Sequence, residues 1–211
     1  MRTNRLILTV FIAAFSLVTF AQKKVDFGVQ GGYSYNIPKS LQLNFNSNMS
    51  GFHVGPLIKY NINEKVGIQS GLMFNYFQNN IKSTVVLNNW YNNKTIAYNI
   101  DLPIRAEYKY PLADDFYLLL FAGPNFNYAV NRNLKIETVV NKKVVSTIDK
   151  PNIYDSGDYS PFDAQLGFGL GLKYMGVSVR GSYDIGLLDL NKAADVKLRS
   201  NDMKLTFSYS F

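Results

Sequence analysis

Phe162-Asp163-Ala164-Gln165-Leu166-Gly167-Phe168-Gly169-Leu170-Gly171-Leu172-Lys173-Tyr174 is the stretch on which the fold turns. Every second residue, from Phe162 to Tyr174, is apolar, and the residues between them are charged, amide or glycine. Successive side chains on a strand point to opposite faces, so a period of two means a strand with one apolar and one polar face. Working outward, the same alternation runs over residues 25–35, 52–60, 66–76, 100–110, 118–128, 177–185 and 203–211, which makes eight strands. Each repeat is about 10 to 12 residues, longer than an ordinary strand and long enough for a tilted strand to cross a bilayer.

The connections alternate as well. Residues 61–65, 111–115 and 175–176 are short turns, whereas 36–50, 78–95, 130–160 and 188–200 are long. An even number of long strands, with turns on one rim and loops on the other, predicts an all-β fold: an eight-stranded antiparallel up-and-down transmembrane β-barrel. A soluble lipocalin-like barrel has the same alternation with the faces exchanged. Glycine favours the membrane form, because Gly28, Gly32, Gly55, Gly67, Gly71, Gly167, Gly169, Gly171 and Gly186 fall on the non-apolar face. Small residues suit the crowded inside of a narrow barrel. Tyr33, Tyr35, Tyr60, Tyr76, Tyr108, Tyr110, Tyr174, Tyr209 and Phe211 sit near strand ends on the apolar face, where interfacial girdles form.

The chain has 211 residues and no cysteine, which excludes a disulfide scaffold, thiolate chemistry, Cys-ligated zinc and a lipoprotein anchor. Arg2 and Arg5 precede an uncharged stretch over residues 6–20, and Thr19-Phe20-Ala21 offers a small-x-small junction. Residues 1–21 therefore read as a cleaved signal peptide and residues 22–211 as one barrel domain. The formal charge of +7 falls to +5 when Arg2 and Arg5 leave.

Four segments bear a family likeness: Ile100-Asp101-Leu102-Pro103-Ile104-Arg105-Ala106-Glu107-Tyr108-Lys109-Tyr110, Phe121-Ala122-Gly123-Pro124-Asn125, the stretch quoted first, and Tyr183-Asp184-Ile185-Gly186-Leu187. With the Ala21-Gln22 junction, they resemble the PorT-like outer-membrane β-barrel family of Bacteroidetes. The resemblance implies a barrel in the bacterial outer membrane. A link to secretion of surface proteins comes only through the family's named member, and no residue of this chain carries it.

The last strand ends on Phe207, Tyr209 and Phe211, an outward aromatic set expected to serve as the insertion signal for the barrel-insertion machinery. The inward face takes Lys59, Arg105, Lys109, Lys173, Arg180 and Lys204 against Asp26, Asp101, Glu107, Asp163, Asp184 and Asp202. Side chains just fill a barrel of eight strands, so this balance predicts a lumen plugged by ion pairs. Its expected network is Asp101, Arg105, Glu107, Lys109, Asp163, Arg180 and Asp184, with Arg105, Glu107, Arg180 and Asp184 at the centre. A narrow path for ions or small solutes is the alternative.

The surplus charge lies in the long loops, where Arg132, Lys135, Lys142, Lys143, Lys192, Lys197 and Arg199 form a basic surface. Such a surface would meet outer-membrane lipid, the phosphates of lipopolysaccharide or an anionic envelope protein; simple solvation is the bland alternative. The cations are scattered without an aromatic stacking platform, so nucleic acid is not an expected partner. Residues 134–140 and 144–148 flank Asn141-Lys142-Lys143 as a hairpin, either an edge for a partner or an extension of the barrel wall.

His53, the only histidine, falls on the inward face with Ser34 and Asp26 as candidate neighbours, but no nucleophile elbow accompanies it. The expectation is a hydrogen-bonding histidine and no enzyme. The glycines from Gly167 to Gly171 have a period of two and do not fit G-x-G-x-x-G. One histidine and no cysteine suggest neither metal nor cofactor.

Overall fold

The computed structural model describes residues 24–40, 47–86, 89–141, 143–193 and 196–211. The leader expected over residues 1–21 and Lys142 lie outside them. Ten strands follow in order: β1 (Val25–Ser40), β2 (Met49–Asn61), β3 (Val66–Gly71), β4 (Met73–Val86), β5 (Asn89–Ala113), β6 (Phe116–Val140), β7 (Lys143–Lys150), β8 (Phe162–Tyr174), β9 (Val177–Gly186) and β10 (Leu198–Ser210). They make a ring of eight, because β3 and β4 are one wall strand interrupted at Leu72, and β7 lies outside the ring. All pairings are antiparallel between neighbours, and β1 closes the ring on β10 from Gly28 opposite Ser210 to Ser40 opposite Leu198.

Most inward side chains are polar, with Leu57, Leu119 and Phe121 packed among them and Met49, Phe77 and Ala97 clustered apart, and apolar ones cover the outside. Asp101, Glu107, Lys59 and Lys204 are 0 to 5% exposed, whereas Phe168, Leu170 and Phe207 are 53 to 60% exposed. That is the membrane arrangement and the reverse of a lipocalin. Among the described residues no helix is long and apolar enough to cross a membrane. The inward glycines let the walls approach: a Cβ at Gly32 would strike the Leu205 carbonyl oxygen, and one at Gly51 the Tyr76 carbonyl oxygen.

Aromatic rings mark both edges of the apolar band. Phe52, Tyr76 and Tyr98 stand 5.3 and 5.6 Å apart in sequence around the loop rim, and Phe126 stacks on Phe162 at 6.4 Å. At the turn rim Phe116 meets Tyr174 at 6.5 Å, and Tyr209 meets Phe211 at 5.5 Å. From Phe162 to Tyr174 the strand rises roughly 30 Å along a tilted barrel, close to the height of such a band.

Two expected loops are largely sheet. β4 and β5 stay paired up to Val86 opposite Asn89, and β5 and β6 up to Asn89 opposite Val140. β7 then pairs with β6 from Leu134 opposite Lys150 to Val140 opposite Lys143. The upper parts of β4, β5 and β6 together with β7 form a four-stranded sheet standing beyond the loop rim. On β4 and β5 the sequence there, with Asn79-Asn80 and Asn92-Asn93-Lys94, puts polar residues on both faces. The alternation fades there, but the backbone groups still find their partners in the ladder.

Candidate functional site

The lumen holds two charged clusters that brace opposite walls. Towards the turn rim, the Lys59 ammonium on β2 donates to Glu107 Oε1 on β5. The other Glu107 oxygen lies 2.9 Å from Arg180 Nη2 on β9, and the Arg180 guanidinium sits 5.8 Å from the centre of the Phe121 ring. Towards the loop rim, Arg105 on β5 donates to Asp184 Oδ1 on β9 and to the Gly123 carbonyl on β6. Lys204 on β10 donates to Asp101 Oδ2 on β5 and lies 3.8 Å from Asp184 Oδ2.

Gly167 makes room for the second cluster, since a Cβ there would run into Asp184 Oδ1 and come within 2.6 and 2.7 Å of the Arg105 guanidinium nitrogens. Buried charges are tolerable only when paired, and each of these faces an opposite charge, although Glu107 Oε2, Arg180 Nε and Asp184 Oδ2 make no hydrogen bond among the described residues. The cavity beside them, bounded by Arg105, Phe121, Arg180, Asp184 and Lys204, is about 40 Å³. A space of that size holds about one or two waters.

An amide layer covers the clusters on the loop side. Asn36 Nδ2 donates to Asp202 Oδ1 at 2.7 Å and to Ser200 Oγ at 2.6 Å. Gln165 Nε2 donates to Asp202 Oδ2 at 3.1 Å and to Asp163 Oδ2 at 3.3 Å, and Gln165 Oε1 accepts from Asn125 Nδ2 at 2.8 Å. Its members come from four strands, β1, β6, β8 and β10, so the layer is a second belt of struts.

Asp101, Arg105, Glu107, Arg180 and Asp184 are thus brought together as ion-pair partners. Lys109 is half-buried and outside every ion pair among the described residues, and Asp163 is held by Gln165 instead of a cation. Lys59 and Lys204, inward by sequence parity yet outside the expected network, are central to it. Parity gives the face of a residue; only the inter-strand register tells which inward charges share a level.

His53 is 1% exposed. Its Nδ1 shares a hydrogen bond with Ser34 Oγ at 2.8 Å and its Nε2 one with Thr206 Oγ1 at 3.0 Å. Asp26, expected as a third member, instead accepts from Asn61 Nδ2 at 3.0 Å near the turn rim. It is eight residues down β1 from Ser34, about 26 Å along the strand. A carboxylate orienting the imidazole is what a Ser–His–acid site needs, and a threonine hydroxyl occupies that place. Among the described residues no group of three metal-ligating side chains occurs.

The basic surface is less of a loop feature than the sequence suggests. Arg132 and Lys135 are on β6, Lys143 on β7 and Arg199 on β10, while Lys192 and Lys197 are on the last loop. Lys135 pairs with Glu137 at 2.8 Å, which raises the lysine pKa and lowers that of the glutamate. Arg132 and Lys150 line a pocket of about 170 Å³ at the mouth together with Met49, Leu134, Ile153 and Leu198. Phe207 and Tyr209 face outward on β10, and Phe211 follows its end, its N–H bonded to the Phe27 carbonyl at 2.8 Å.

Comparison with curated protein sequences gives no match. Among solved structures the chain is similar to OprG from Pseudomonas aeruginosa, with 15% identity over 90% of this chain and 97% of that one and a TM-score of 0.49. It is similar to Ail, the attachment invasion locus protein of Yersinia pestis, with 14% identity over 89% and 99% and a TM-score of 0.48. It is also similar to Neisserial surface protein A, with 16% identity over 88% and 97% and a TM-score of 0.44. The model of the outer membrane protein beta-barrel domain matches residues 20–192. With that match over most of its length and a closed eight-stranded ring, this chain belongs to the outer membrane protein beta-barrel domain family and is a protein of the bacterial outer membrane.

Proposed function

We propose that the protein is a membrane-embedded interaction scaffold, exported by cleavage after Ala21, with its mature termini in the periplasm and its long loops outside the cell. Phe207, Tyr209 and Phe211 act in this reading as the signal for the barrel-insertion machinery. The observation that carries it is the sheet beyond the loop rim, which ends in the outer edge of β7, unpaired among the described residues. All eight β7 residues are exposed, Val144, Val145 and Ile148 at 57, 60 and 52%. An exposed edge with apolar side chains is a template for strand addition by a partner. Lys143, Lys192 and Arg199 favour an anionic partner, either lipopolysaccharide or an envelope protein. A part in secretion of surface proteins rests on the PorT-like resemblance alone.

The alternative, a narrow pore, has less support: cross-lumen ion pairs fill the inside, and the space beside them is about 40 Å³. Photo-crosslinking in intact cells tests the scaffold reading. A photoreactive residue at Ser146 or Thr147 on β7 is expected to give a discrete protein adduct that the same residue at Leu170 on the apolar wall does not. Equal patterns at the three sites would overturn it.

A further inference from the structure

Among the described residues the apolar wall is notched at two outward glycines, Gly31, under a groove of about 430 Å³ between Val54 and Phe207, and Gly181. β9 presents Gly181 outward between Leu170 on β8 and Leu205 on β10. A Cβ built there meets nothing within 4 Å. Over it opens an apolar groove of about 680 Å³, walled by Leu170, Leu205, Phe168, Tyr183, Met203 and Tyr33. A recess in the wall offers an acyl chain contacts on more than one side, which a smooth wall does not.

Two cations stand above the groove on the same outward face. Along β10 that face reads Leu205, Met203, Asn201, Arg199, and along β1 it reads Tyr33, Tyr35, Ile37, Lys39. Lys39 and Arg199 are register partners and both are exposed. Neither makes an ion pair among the described residues. Asp189, the acidic group whose charge Arg199 reaches, is held by the backbone N–H groups of Asn191 and Leu198, each at 3.0 Å.

Six residues separate Leu205 from Arg199, about 20 Å along the strand and about 15 Å along the axis of a barrel tilted by about 40°. That is roughly one leaflet, from the midplane to the headgroups, for an apolar band about 25 Å tall. Paired cations on adjacent strands, about 5 Å apart at the backbone, suit a phosphate monoester, whose charge at neutral pH is about −1.5 to −2.

We propose that the Gly181 groove binds one acyl chain of a phosphorylated glycolipid of the outer leaflet, of the lipid A class, whose phosphate is held by Lys39 and Arg199. This rests on the orientation in the scaffold reading, with the loops outside, and gives its lipid contact a site.

The test is native mass spectrometry of the full chain in mild detergent, titrated with diphosphoryl lipid A. One lipid A per barrel is expected to bind saturably. Gly181→Leu, which fills the groove, and the double variant Lys39→Gln/Arg199→Gln are each expected to weaken retention about tenfold, as loss of one recognition element would. Heat-modifiable gel migration shows that both variants are folded. Dephosphorylated lipid A and phosphatidylglycerol are expected to bind more weakly than lipid A, and inorganic phosphate to leave it bound. Equal retention by either variant, equal binding of either other lipid, or displacement by inorganic phosphate overturns the site. Failure here with β7 adducts intact removes the groove and leaves the scaffold; labelling of Lys143 by a membrane-impermeant reagent only after the outer membrane is permeabilised removes both.

Discussion

Lys204→Met is the sharpest perturbation of the lumen. The ammonium bridges Asp101 and Asp184 and its side chain is 2% exposed. Its removal leaves Asp101 with only an amide donor, from Asn127, while Asp184 keeps Arg105. Breaking a buried pair by removing one partner costs about 3–5 kcal/mol, since the remaining charge is stranded. The methionine stem restores most of the packing, so little of that loss is steric. Adding Asp101→Asn removes the stranded charge, and the double variant is expected to recover at least half of the loss, a coupling of about 1–3 kcal/mol. Lys135→Met is the control. Its partner Glu137 is 26% exposed and Lys135 itself 43%, so water screens the pair and little change is expected. Urea unfolding in phosphatidylcholine vesicles, followed by loss of the fast-migrating folded band, measures all three. A Lys204→Met barrel no less stable than the Lys135→Met control would refute the lumen network as a stabilising brace.

Gly167→Ala should cost about 1–3 kcal/mol by overpacking the Arg105–Asp184 pair, and Gly181→Ala close to none; matching unfolding midpoints for the two would contradict the packing described. Leu170→Arg, in the middle of the outward face of β8, should destabilise by about 2–4 kcal/mol, against about 0–1 for Tyr174→Arg near the turn rim. A depth-independent cost in the same urea assay would argue against a membrane-facing wall. Asp189 has its pKa lowered by the amides of Leu198 and Asn191. The order it gives the last loop is therefore full above the ordinary carboxylate value and fades as pH falls through the lowered one. Hydrogen exchange at Asn191 and Leu198 should quicken in acid in the wild type and lose that dependence in Asp189→Asn.

The barrel was legible in the sequence where one face meets apolar surroundings and the other the lumen. The run from Phe162 to Tyr174 shows the alternation, its glycines chose which face is inward, and the inward parity of Asp101, Arg105, Glu107, Arg180 and Asp184 followed. Where both faces are polar the pattern is silent. Residues 78–95 therefore read as a loop although 78–86 and 89–95 are the paired ends of β4 and β5. The break at Leu72 was equally hidden, because Ile68 and Phe74 keep the outward parity across it. Register was the other gap: Lys204 reaches a carboxylate 103 positions away, and no local spacing reveals that Asp101 lies at its level. Nor did parity separate Asp26 from His53, since both face inward and only the ladder puts Asp26 opposite Lys59 and His53 opposite Gly32.

The central claim is a closed membrane barrel whose inside is braced by ion pairs and whose working surface is the rim and the wall. Planar-bilayer recording of the refolded full-length protein tests it most directly. The account predicts that insertion leaves the membrane without steady open-channel steps, and that Arg105→Ala together with Arg180→Ala, which removes a bracing cation from each cluster, introduces them. Steady, reproducible conductance from the wild-type barrel would contradict it.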